Sequence, residues 1–228
     1  MILDRTKEFI IPPIEQINEE GKPRVYKTPS GKKYPSITSV TGILSKEAIQ
    51  EWRTKVGEVE ANRVSRIAST RGTRLHLLAE LYITNQTEDF EQIFKKSMID
   101  VTMMWKDLQK KIDAGLTEVL ASEARLWSDE LEVAGTVDCI GKFFGKYAII
   151  DFKTSGKQKF KSDITGYFLQ AAAYTQMWYE RTGMKIDHLI VLIATEETNK
   201  TYLFHEPADV WIPKFKELRE TYRKIYNL

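Results

Sequence analysis

The chain has 228 residues, of which 42% are hydrophobic and 11% aromatic, enough to bury a core and too many for a disordered or collagen-like polymer. Basic residues number 34 against 32 acidic ones, a net charge of +2, so any affinity for phosphate has to come from how the charges are distributed. One cysteine excludes a disulfide scaffold, an all-cysteine zinc site and a four-cysteine iron–sulfur cluster.

The N-terminus, MILDRTKEFIIPP, carries Asp4 and Glu8 beside an apolar stretch far shorter than a signal-peptide core. No run approaches the ~18 apolar residues of a membrane span. The expectation is a soluble protein of a reducing compartment, with no membrane partner. Residues 24–36 set Thr-Pro-Ser-Gly between two Tyr-bearing segments, which predicts a hairpin. Ser36, Thr38 or Ser39 then caps a short helix towards Leu44. From Lys46 to Thr70, Ile49, Trp52, Val56 and Val59 recur at helical spacing, and Val64 and Ile67 continue the stripe with a shift. Gly72 follows, and a second helix over 73–84 carries Leu75, Leu78, Ala79 and Tyr82. Phe94, Met98, Val101, Trp105, Leu108 and Ile112 predict a third, core-facing helix that Gly115 stops.

The period then changes. Segments 118–127, 132–143 and 147–153 read as an antiparallel meander. A Lys-rich loop (154–163) leads to a helix at 164–181, and strands at 188–194 and 201–205 precede a closing helix at 208–226. The result is a single α/β domain, with a helical arm over 1–115 and a core over 116–228.

The chemistry concentrates in Ala134-Gly-Thr-Val-Asp-Cys-Ile and Ile149-Ile-Asp-Phe-Lys-Thr-Ser. A tight turn at Phe144-Gly145 sets Asp138 directly opposite Asp151, their Cβ atoms about 4.5–5.5 Å apart on one sheet face. Lys153, two residues on, projects from the same face. A one-residue slip would send the carboxylates to opposite faces. Two carboxylates that close need a counter-charge, and a hard divalent cation, Mg²⁺ or Mn²⁺, is the natural one. A lysine beside it can orient or deprotonate an attacking water, which suits metal-assisted phosphodiester hydrolysis. The plain alternative is a surface strand whose Asp and Lys form a solvated ion pair.

This order of strand, hairpin, Ile-Ile-Asp-Phe-Lys and a helix bearing Gln170 and Tyr174 resembles the PD-(D/E)XK nuclease superfamily. The Q-x-x-x-Y spacing is similar to its RecB-like branch, as is Arg71-Gly-Thr-Arg-Leu-His-Leu-Leu-Ala-Glu upstream. Tyr34-Pro-Ser-Ile-Thr-Ser-Val is similar to the mitochondrial genome maintenance exonucleases and their phage relatives. The resemblance spans roughly residues 24–205. It implies a central mixed sheet flanked by helices, in a bacterial or phage-infected cytoplasm or the mitochondrial matrix. It also implies a Mg²⁺- or Mn²⁺-dependent deoxyribonuclease, an exonuclease on single-stranded DNA or strand ends. The rivals are a non-catalytic nucleic-acid-binding module of the same fold and a duplex endonuclease.

The site residues follow from the resemblance. Metal ligation falls to His76, Asp138, Asp151 and the backbone carbonyl of Phe152, and Lys153 becomes the catalytic lysine. Gln170 and Tyr174 face the site and steady Lys153 or the phosphate. Glu123 stands where an acid can turn to a second metal, and Ser36 and Thr38 touch the DNA backbone. Taken alone, His76 reads as a core or capping histidine, Ser36 and Thr38 as helix caps, and Glu80 as part of a solvated face. Cys139 cannot supply an iron–sulfur cluster and reads as a buried thiol. Two basic segments supply a lining for phosphates. One holds Arg63, Arg66, Arg71 and Arg74 within 52–76. The other holds Lys157 and five further lysines within 142–161.

Overall fold

The computed structural model describes residues 2–19 and 21–227. Three short strands, β1 (Glu15–Ile17), β2 (Val25–Lys27) and β3 (Lys33–Pro35), make an antiparallel sheet in which Tyr26 pairs with Tyr34. Helices α1 (Ile37–Gly42), α2 (Lys46–Val56), α3 (Glu58–Ile83), α4 (Thr87–Lys95) and α5 (Ile99–Gly115) follow. Strands β4 (Leu116–Ser128), β5 (Val133–Phe143) and β6 (Lys146–Ser155) form the meander. Helix α6 (Thr165–Thr182), strands β7 (His188–Thr195) and β8 (Lys200–Pro207), and helix α7 (Ile212–Tyr226) complete the chain.

The fold is α/β: a mixed five-stranded sheet, ordered β4-β5-β6-β7-β8, flanked by helices. Only β6 and β7 run parallel, and α6 makes the crossover that a parallel pair requires. One face of the sheet buries Phe168 and Trp178 of α6, Phe215 and Tyr222 of α7, and Ile37 and Val40 of α1. The other buries Leu75 and Leu78 of α3 and Trp105, Leu108 and Ile112 of α5 against Ile150, Phe152 and Leu192. The helices before residue 115 therefore share a core with the strands after it. Among the described residues, no helix is long and apolar enough to cross a membrane.

Three local expectations are corrected. The helix expected over 46–70 breaks at Gly57, and the break expected at Gly72 does not occur. Gly57 takes φ +85°, which glycine reaches without steric cost, and its N–H closes α2 on the Arg53 carbonyl. Gly72 continues the helix where α3 lies against Thr154 of β6. The helix expected across 94–112 is two helices. Ser97 bonds back to the Ile93 carbonyl, and Met98 is extended, so the backbone turns there. The turn folds Phe90 and Phe94 of α4 back beside Trp105 of α5, with the Phe90 and Trp105 rings 5.3 Å apart. Met98 and Met103 are exposed as a result, while Met104 and Trp105 are buried. The apolar stripe of α2 and early α3 finds no cover: Ile49, Val56, Val59, Val64 and Ile67 are exposed, and Ala61 is the one buried residue in 46–70.

A candidate metal and phosphate site

The hairpin register is the one the turn at Phe144-Gly145 predicts. Phe143 pairs with Lys146, and the ladder runs back to Cys139 opposite Ile150. There the pairing stops, one residue short of Asp138 and Asp151. Beyond that point the Phe152 N–H donates to the Asp138 carboxylate at 2.8 Å, so a side chain replaces the next backbone partner. In a strand, one residue's N–H and C=O point to the same edge, which turns the Phe152 carbonyl into the same opening.

On the other side of β5, Ser122 pairs with Cys139 and Ala124 with Val137, which sets Glu123 opposite Asp138. Three neighbouring strands thus carry Glu123, Asp138 and Asp151 in a row. Helix α3 adds His76, whose Nδ1 is 3.6 Å from Asp138 Oδ2. Ligand atoms of His76, Glu123 and Asp138 all lie within 4.8 Å of one another. Asp151 is engaged differently: its Oδ1 is 2.5 Å from Lys153 Nζ, and its Oδ2 is buried with no partner among the described residues. Where the sequence reading joined His76 and Asp138 to Asp151, the structure joins them to Glu123 and gives Asp151 to Lys153. Glu123 also holds φ +47°, a left-handed conformation that costs a residue with a side chain on the order of 1–3 kcal/mol. It sits at an irregular stretch of β4, after a register shift between Val119 and Ala121.

The electrostatics follow from crowding. Burial pushes the Glu123 carboxyl up to about 8, and Asp138 and Glu80 push the same way. Burial likewise raises Asp151 to about 6 against the pull of Lys153, with Asp138 adding to the rise. Lys153 loses hydration, but Asp151 and Asp138 outweigh that and raise its pKa, keeping it charged. Its ammonium also lies 5.3 Å from the centre of the Tyr167 ring. Carboxylates packed this tightly, with one buried oxygen left without a donor, fit a hard divalent cation by charge and by ligand type.

The remaining expected residues separate. Tyr174 is buried, and its hydroxyl donates to the Thr136 carbonyl at 2.6 Å, so it fastens the strand that carries Asp138. Gln170 is buried beside it, facing the same recess as Lys153. Ser36 is 2% exposed and accepts the Ser39 N–H at 3.0 Å, the work of a helix cap, while Thr38 is exposed. Arg63 is exposed and paired with Glu60. Arg71 is 5% exposed and ion-paired with Glu196 in the β7–β8 turn, which removes it from any DNA-facing surface. Arg66, Arg74 and Lys157 have no ion pair among the described residues, and Arg66 and Lys157 are exposed. Cys139 is fully buried, and burial raises its thiol pKa. Glu80, which shares a helix face with His76 and reads from the sequence as part of a solvated face, is near enough to Glu123 to raise its pKa.

No protein-family model matches the chain, and no curated protein sequence matches it.

Proposed function

We propose that the chain is a metal-dependent deoxyribonuclease of the PD-(D/E)XK type and RecB-like branch, an exonuclease on single-stranded DNA or strand ends. The observation that carries the reading is the row Glu123–Asp138–Asp151 across three strands, with Lys153 locked onto Asp151 and His76 above Asp138. A structural ion pair needs one carboxylate and one lysine. Three carboxylates and a histidine around one lysine are a surplus of ligands that costs stability unless a cation offsets it.

His76, Glu123 and Asp138 would hold a Mg²⁺ or Mn²⁺, with Asp151 and the Phe152 carbonyl as the further ligands that the resemblance implies. Bound there, the ion would supply a Lewis acid for the scissile phosphate and lower the pKa of a water. The chain's own groups set the rest. Lys153, charged and anchored by Asp151, presents its remaining N–H donors to the attacking water and to the charge that builds on the phosphoryl oxygens. Tyr174 and Gln170 hold β5 and the wall beside Lys153, so they position these groups without touching the reacting atoms. Arg66, Arg74 and Lys157, without ion pairs among the described residues, are available to contact backbone phosphates, contacts that position a strand without reading its bases.

End-labelled single-stranded DNA incubated with Mn²⁺ or Mg²⁺ tests this. We expect stepwise shortening that EDTA abolishes. Lys153→Ala should retain binding and lose about 10²-fold or more in rate. Full activity in EDTA, or a Lys153→Ala variant as fast as the parent, would overturn the mechanism. Cutting of closed circular DNA would make the chain an endonuclease instead.

A further inference from the structure

A recess of about 580 Å³ opens beside Lys153, between the start of α6 and the turn that joins α1 to α2. Its volume is in the range of pockets that enclose a small ligand, and one nucleotide unit fits it. It shares no lining residue with the recess that Glu123 lines against residues 8–13, so Glu123 and Lys153 face separate recesses. Thr41 and Ser45 on the wall donate their hydroxyls to the Ile37 and Gly42 carbonyls at 3.2 and 3.3 Å, and Tyr167 brings a half-buried ring.

The charge in this recess lacks a match. Lys159 is half-buried and makes no ion pair among the described residues. The recess has one acid, Asp163, and its carboxylate is taken by its own turn: it accepts the Phe160 N–H at 2.8 Å and the Ser162 hydroxyl at 3.4 Å. Lys153, on the inner wall, is committed to Asp151 on one side only. A half-buried lysine without an ion pair among the described residues, in a recess that also holds an aromatic ring, is a setting for an anion that carries a flat ring.

We propose that this recess is a nucleotide subsite, binding the phosphate next to the scissile one through Lys159, with its base against Tyr167. It rests on the nuclease reading and refines it, since it adds a second phosphate contact on the Lys153 side. Contact with the backbone alone would leave the subsite indifferent to sequence.

The test uses the 228-residue chain in EDTA, with thymidine 5′-monophosphate, thymidine and a 20-mer of thymidylate as probes. Calorimetry should detect the monophosphate and not thymidine, and Lys159→Ala should weaken the monophosphate at least fivefold. The same variant should flatten the log–log salt slope for the 20-mer by about 0.7, the loss of one phosphate contact on a single strand. Lys110→Ala, an exposed lysine on α5, should leave that slope unchanged. A folded Lys159→Ala protein with parental monophosphate affinity and salt slope would overturn the subsite, even if the parent cuts DNA. A Lys159-dependent monophosphate site in a chain that never cuts DNA would keep the subsite and overturn the nuclease.

Discussion

Gly135 is the position where a single methyl group should do most damage to the proposed site. It is buried on β5, three residues before Asp138, where Tyr174 of α6 and Ile37 of α1 converge. A Cβ there would stand 2.6 Å from the Tyr174 hydroxyl oxygen, 2.9 Å from Ile37 Cγ2 and 3.1 Å from Tyr174 Cε1. Neither neighbour has room to yield, because Tyr174 is 2% exposed and Ile37 is 1% exposed. Moving the tyrosine also breaks its 2.6 Å bond to the Thr136 carbonyl. Loss of a buried hydrogen bond costs about 1–3 kcal/mol, and overpacking a core costs about 1–3 kcal/mol. Gly135→Ala should therefore destabilise the protein by about 2–6 kcal/mol. Tyr174→Phe deletes the closest clashing atom and the bond together, so alone it should cost about 1–2 kcal/mol. Combined, the two should cost at least 1 kcal/mol less than the sum of the singles, as contacting residues do in a mutant cycle. Urea midpoints at constant slope measure all four corners. A Gly135→Ala variant within 0.5 kcal/mol of the parent, or strictly additive costs, would refute the convergence described here.

Glu123, raised from 4.5 to about 8, contributes stability that is present below pH 4.5 and lost as pH rises through about 8. The melting temperature in EDTA should fall over that window, Glu123→Gln should flatten the fall, and an unchanged pH profile in the variant would sink the assignment. Arg71→Ala breaks a pair that is almost wholly buried on the arginine side and should cost about 1–3 kcal/mol. Arg63→Ala, at an exposed pair, should stay within about 0.5 kcal/mol, and the order of the two urea midpoints decides the matter. Cys139 is fully buried with its thiol pKa raised, so a thiol reagent should label it only after denaturation; rapid labelling of native protein would contradict its burial.

The parts legible in the sequence are those with short-range causes. The hairpin register was readable because a tight turn at Phe144-Gly145 leaves one pairing that sets Asp138 near Asp151. The strands and α6 were readable from their periods. The arm was harder because helical spacing marks an apolar face without saying that the chain covers it. Ile49, Val56 and Val64 repeat like core residues and remain in solvent. Gly57 and Gly72 were alike on paper, and only tertiary position decided which one broke a helix. Glu123 could be suspected from its place in the sequence, but its place in the cluster depends on a bulged strand and a positive φ, neither of which leaves a pattern in residue type. Arg71 illustrates the opposite error. Its neighbours suggested a phosphate-facing row, and its partner Glu196 is 125 residues away.

The separation of β5 from β6 explains why the cluster forms at the end of the ladder and not within it. While the strands pair, from Phe143 back to Cys139, every backbone group facing the neighbour is used and the side chains alternate into closed cores. One residue further on, the Phe152 amide has lost its backbone partner and Asp138 supplies the acceptor. That bond keeps the carboxylate from swinging out to solvent, and it leaves the second oxygen lone pairs and the Phe152 carbonyl directed into the gap. The strands cannot close again without unseating Asp138, and Tyr174 holds β5 apart through Thr136, two residues earlier. Repulsion between Asp138 and Asp151 acts in the same direction, since closing the sheet would bring the charges nearer. The opening is therefore maintained by the same carboxylates that are proposed to hold a cation, so charge neutralisation at this point should tighten the sheet end.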